Sequence, residues 1–183
     1  MLYSYIRHIF QSIPWTHFVI IGILSLMVTF LYRKKSSVYG SIVLGLTGFV
    51  VLFLLDASVW IRYCGLYPHE TGIDISGELN RILHGRESSR VGMLCNVLVF
   101  VPIGFFLSEF LSVTRRLSTW RRLGYVTLAG FGLSLTIECL QLILRVGIFE
   151  LTDLVMNTMG AFVGAGVALL ARAMFVKRKK ADA

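Results

Sequence analysis

The chain has 183 residues, 56% of them hydrophobic and only 15% charged, with a mean hydropathy of +0.74. A soluble domain is about half apolar and about a quarter charged, so this composition excludes an ordinary water-soluble fold and is that of a membrane protein. The net charge of +8 sits in short clusters between apolar blocks (Arg33-Lys34-Lys35, Arg115-Arg116 with Arg121-Arg122, Lys177-Arg178-Lys179-Lys180), which argues against a nucleic-acid-reading stripe and for anchoring to anionic lipid headgroups.

A transmembrane helix needs about 20 mostly apolar residues to cross a hydrocarbon core of about 30 Å. Five segments qualify: 17–32, 38–61, 91–113, 124–144 and 154–176. The first is the shortest, and an apolar start as early as Ile13 is open to it. It lacks a small-residue cleavage site before its basic cluster, so it reads as an anchor rather than a removed signal peptide.

Orientation follows from the side on which Lys and Arg collect. The face reached after the first, third and fifth segments carries twelve of them, counting Arg172 and the basic tail, and the other face carries six. The richer face is expected to be cytoplasmic, with the C-terminus inside and the N-terminus outside. Eight of the ten acidic residues then lie outside or in the outer half of the membrane; Glu109 and Asp182 do not. Glu109, near the inner end of the third segment, is expected to pair with Arg115, Arg116 or water.

The one long connection, 62–90, falls outside. Within it Ser76 is a plausible N-cap and Gly85 a terminal glycine, and Leu79, Ile82 and Leu83 form one apolar stripe. A short amphipathic helix on the outer membrane surface is expected, so the fold class is all-α, a polytopic bundle of five transmembrane helices in one integral membrane domain spanning 1–183.

Cysteines Cys64, Cys95 and Cys139 and histidines His8, His17, His69 and His84 show no metal-ligand spacing, and His84-x-x-Glu87 is a weak echo of one. No metal or cofactor is expected. Cys95 and Cys139 fall in apolar segments, where a small buried hydrophobe is the ordinary role.

Ionisable groups inside a bilayer are costly and usually face the bundle interior or a wet cavity. On the fourth helix Glu138, Gln141 and Arg145 share one face within about 60° of arc; on the fifth, Asp153, Asn157, Gly160 and Gly164 do the same. Asn96 on the third and Asp56 on the second add polar groups at the same outer depth. Gly160 and Gly164 form a small-xxx-small pair suited to close helix approach, which makes the fifth helix central. Pro102 and Gly104 lie where the third helix can kink, and Asn96 is near enough to help the Leu98 carbonyl that Pro102 leaves unbonded. The bland account is structural: ion pairs of Arg145 with Glu138 or Asp153, and Asn96 and Asn157 as interhelical glue. Gluing two helices requires fewer groups than are present, which favours a ligand-facing site.

These residues also carry a resemblance. Asn96-Val-Leu-Val-Phe-Val-Pro102-Ile-Gly104, Glu138-x-x-Gln141, Arg145, and Asp153-x-x-x-Asn157-x-x-Gly160 together resemble the VanZ-like membrane family, over about 70 residues from Asn96 to Gly164. The resemblance implies a VanZ-like core over 91–176 and a multi-pass protein of the bacterial cytoplasmic membrane. It also implies a link to reduced susceptibility to the glycopeptide teicoplanin. A non-enzymatic role is expected, in which Glu138, Arg145 and Asp153 bind polar head groups and Asn96, Gln141 and Asn157 set the geometry. The expected partners are membrane lipids, with a lipoglycopeptide antibiotic or a lipid-linked envelope precursor as ligand, and no nucleic acid; the oligomeric state is open. The alternatives are a membrane enzyme using a Glu138/Asp153 acid–base pair on a lipid-linked substrate, or a flippase. The first lacks a Ser/His/Asp set, and the second lacks an even internal repeat.

Overall fold

The computed structural model describes residues 11, 13–32, 37–63, 72–74, 80, 83–84, 87–114 and 117–181. Among them, five helices are long and apolar enough to cross a membrane: α1 (Trp15–Tyr32), α2 (Val38–Tyr63), α3 (Glu87–Thr114), α4 (Thr119–Ile143) and α5 (Leu151–Ala181). Each expected span is present. Most helices run a few residues past their apolar windows, because backbone bonding in a helix does not stop where hydropathy falls.

Two strands interrupt the helical pattern. Strand β1 (Gly72–Asp74) pairs in parallel with β2 (Ile148–Glu150), Ile73 opposite Phe149. This three-residue ribbon ties the 62–90 connection to the α4–α5 link. The fold remains an all-α membrane bundle, with the ribbon marking one end of it, called here the ribbon end. The expected amphipathic helix lies mostly outside the described residues. Within it the His84 N–H donates to the Asn80 carbonyl at 3.1 Å, one helical turn, and Leu83 is exposed.

Helices α3 and α5 make the most extensive contact, with α4 returning the chain between them. They run parallel in one register: a Cβ at Gly160 would collide with the Val97 carbonyl, and one at Gly164 with the Val101 carbonyl. Glu109 meets Arg172 at the same separation of 63 residues. Gly104 on α3 closes against the Ala161 backbone in the same seam.

The buried positions of α5 (Leu154, Asn157, Gly160, Ala161, Gly164, Ala165, Ala168) recur every three or four residues, and nearly all are small. Its large side chains, Met159, Phe162, Val163 and Leu170 among them, are exposed. This is the pattern a bilayer selects, since lipid is as apolar as Leu and helices associate by close backbone packing instead. The expectation of a central, glycine-packed fifth helix holds.

Phe100 and Ile103 of α3, Ile137 of α4 and Ala161 of α5 form the core, with Val50, Val51, Leu54 and Leu55 of α2 packed on it. Helix α1 is peripheral, lying mainly against α2, and buries only Ile21 and Ser25 along its length. Several threonine hydroxyls are satisfied within their own helix: Thr29, Thr47 and Thr158 donate to the carbonyl four residues back, at 2.7–2.9 Å, whereas the buried hydroxyls of Ser25, Ser108 and Ser112 meet no partner among the described residues.

Cys139 is exposed on the outside of α4 and Cys95 is half-buried, so neither is the buried packing residue expected. Lipid-facing positions accept the same apolar residues as the core, and hydropathy does not separate the two.

Candidate functional site

The polar residues of the last three helices gather at the ribbon end, where each crosses to a neighbouring element. The Asn96 side-chain amide of α3 donates to Asp153 Oδ1 of α5 at 2.5 Å. Asn157 of α5 donates to Ser134 Oγ of α4 at 2.9 Å, a fully buried bond. Gln141 of α4 donates to the Ser58 carbonyl of α2 at 3.3 Å. Glu138, 1% exposed, accepts the backbone N–H of Glu150 on its Oε2 at 3.0 Å.

The Glu138 bond places a carboxylate where α5 begins. Glu150 immediately precedes that helix, and Asp153 lies in its first turn. The first N–H groups of a helix have no intrahelical acceptor, and its dipole leaves partial positive charge there. Two carboxylates at one helix N-terminus therefore gain about 0.3–1 kcal/mol each near the surface, and up to about 2 where partly buried.

Gln141 is 3% exposed and uses only half of its amide. Its Oε1 is buried and meets no donor among the described residues. The amide orientation is settled by chemistry, because the Ser58 carbonyl can only accept. A buried acceptor left open costs about 1–3 kcal/mol, so this oxygen is the place in the cluster that asks for a donor from water or a ligand.

All six expected site residues lie at this end; five enter the bonded network and one stands apart from it. Arg145 is not on the α4 face with Glu138 and Gln141. It follows the helix end with φ of +56°, is exposed, and forms no ion pair among the described residues. The N–H of Val146 bonds to the Gln141 carbonyl at 2.9 Å and that of Arg145 to Leu142 at 3.2 Å. That is the Schellman closure, whose left-handed position is usually glycine. Here Gly147 comes two residues too late, so Arg145 takes the left-handed conformation. Asn96 likewise gives its amide to Asp153, across the interface, and not to the carbonyl freed by Pro102.

Glu109 also corrects an expectation. At the opposite end of the bundle it receives Arg172 Nε at 2.8 Å and Nη2 at 3.0 Å, and the Tyr39 hydroxyl at 3.0 Å. This bidentate pair and the hydroxyl join α3, α5 and α2, where Arg115, Arg116 or water was expected. Ser134, Ser58 and Glu150 were missed as partners. Ser134 was legible, lying one turn before Glu138 on the same face of α4. The roles of Ser58 and Glu150 come from backbone atoms, which carry no sequence signal.

A bundle of five membrane-crossing helices, sewn at one end by buried amide and carboxylate bonds and along its centre by a glycine seam, defines a polytopic helical membrane protein. The chain belongs to the VanZ/LLP1 family, whose profile matches residues 18–172. It is also 32% identical over 74 residues to Protein VanZ of Enterococcus faecium; the match covers 39% of this chain and 40% of that relative. No solved structure matches.

Proposed function

We propose that this chain lowers susceptibility to glycopeptide antibiotics of the teicoplanin type without altering them chemically. The ribbon-end cluster would sit in the outer leaflet of a bacterial cytoplasmic membrane and bind the polar part of a lipid-anchored drug or a lipid-linked envelope precursor. Family membership supports the first half of this reading, and the excess of Lys and Arg at the opposite end supports the orientation.

The observation that carries the site is Gln141 Oε1, a buried acceptor awaiting a donor beside buried Glu138. Amide N–H and sugar hydroxyl groups, which such ligands carry in abundance, are donors of the kind that oxygen lacks. Arg145, exposed at the mouth of the link between α4 and α5, is the cation of this reading.

The test compares teicoplanin and vancomycin susceptibility in one Gram-positive host expressing the unaltered protein, Glu138→Gln, Gln141→Leu or Asp153→Asn at matched membrane abundance. Selective protection against teicoplanin that the variants lose supports a functional cluster. Variants that fold and protect as well as the unaltered protein reduce the cluster to helix glue. Equal protection against vancomycin removes recognition of a lipid tail.

A further inference from the structure

A second polar feature at the ribbon end belongs to neither the cluster nor the core. His17 of α1 and Asp56 of α2 are joined through Nδ1 and Oδ2 at 2.6 Å. Both are only partly covered, with side chains 21% and 29% exposed. The Trp60 ring meets the His17 ring edge-on, with centroids 4.6 Å apart. Below the pair runs a groove of about 280 Å³ lined by Ile20, Ile21, Leu24 and Leu52, with His17 and Asp56 at its polar end. Ile20 and Leu24 are themselves exposed, so the groove opens on the lipid-facing side of the bundle.

The dyad is half used. Among the described residues no donor meets Asp56 Oδ1 and no partner meets His17 Nε2. A pair serving only to hold α1 against α2 would be expected to close these positions by packing, because a half-buried carboxylate oxygen without a donor is costly. Instead one open acceptor with negative charge and one open imidazole nitrogen share the head of an apolar groove. Trp60, with Trp15 exposed two residues before His17, marks headgroup depth, where tryptophan concentrates in membrane proteins.

We propose that this groove is a binding site for one phospholipid whose headgroup carries a primary ammonium next to a phosphate. The acyl chain lies along Ile20, Ile21, Leu24 and Leu52. The ammonium, with three N–H groups, donates to Asp56 Oδ1 and to His17 Nε2, which is an acceptor when Nδ1–H faces the carboxylate. The site is separate from the ribbon-end cluster and does not depend on its function.

The experiment uses the full chain with Trp15→Phe and Trp120→Phe, which leaves Trp60 as its one tryptophan. The protein is reconstituted in vesicles containing graded fractions of a lipid with brominated chains, and quenching of Trp60 fluorescence is read. Brominated phosphatidylethanolamine is expected to reach half-maximal quenching at a mole fraction at least about threefold below phosphatidylcholine, which has no N–H, and phosphatidylglycerol, which has no ammonium. In Asp56→Asn the three lipids are expected to become equal. Equal quenching by all three headgroups with the dyad intact overturns the proposal, as does a preference for ethanolamine that survives Asp56→Asn. The headgroup comparison is made on the unaltered dyad and so decides the matter even where Asp56→Asn fails to fold.

Discussion

The α3–α5 and α1–α2 pairs are both long helix–helix contacts in the same bundle, yet they are built from different materials. In α3–α5 the backbones touch: Gly104, Gly160 and Gly164 each face main-chain atoms of the other helix, and Glu109 with Arg172 closes one end. In α1–α2 side chains lie between the backbones. Phe18 stacks obliquely on Phe53 at 5.1 Å, Ile13 packs on Ala57, and Gly45 faces the Thr29 hydroxyl. The first pair is a rigid seam with one register. The second is packed through side chains, and it is there that the groove lined by Ile20, Ile21, Leu24 and Leu52 lies.

The largest effect should come from filling the seam. Gly164→Leu puts a side chain where the Val101 carbonyl and the Phe105 amide already lie, and neither can move without unwinding α3. A loss of about 3 kcal/mol or more is expected, read as disappearance of the monodisperse species in detergent. Gly22→Ala, where a Cβ meets nothing within 4 Å, should stay within about 0.5 kcal/mol of the parent. If Gly164→Leu folds as well as Gly22→Ala does, the seam is not what holds the two helices.

Next in size is Arg172→Ala, which strips the bidentate partner from Glu109, itself 6% exposed. Breaking a buried pair costs about 3–5 kcal/mol, and Arg172, with its side chain 39% exposed, should bring this to about 2–3. Adding Glu109→Gln should recover most of the loss in thermal unfolding, since the cost is that of a stranded charge. No recovery would mean that the contact works by packing alone.

Gly45→Ala tests the softer pair. The new Cβ would strike the Thr29 hydroxyl, the end of a side chain that can turn away after giving up its bond to the Ser25 carbonyl, and would lie 3.1 Å from that carbonyl and 3.2 Å from Thr29 Cβ, contacts that close with a shift of a few tenths of an ångström. A cost of about 1 kcal/mol is expected, well short of Gly164→Leu; an equal cost would erase the distinction between the two contacts. Smallest is Ser134→Ala, which removes the acceptor of the buried Asn157 bond. Interhelical bonds in membranes average about 0.6 kcal/mol, and a double-mutant cycle with Asn157→Ala should return a coupling of that order.

Hydropathy, charge bias and helical period belong to short windows of the chain, so much of this protein could be read without a structure. The five spans, the small-residue face of α5 and the gathering of Asn96, Glu138, Gln141, Asp153 and Asn157 at one end are all consequences of local pattern. So is Ser134, which continues the Glu138–Gln141 stripe, although it was not read as part of it. What only the tertiary structure decided is which group answers which. Glu109 met Arg172 and not its nearer arginines because the 63-residue register of α3 on α5 is set by glycines half a helix away. Arg145 left the α4 face because the chain turns there without a glycine at the left-handed position. The β1–β2 ribbon was invisible because three residues are too few to show a period. His17 and Asp56, 39 residues apart, looked like unrelated polar residues until α1 and α2 folded back on each other. A rotation or register between two helices is a property of both at once, and neither segment's sequence contains it alone.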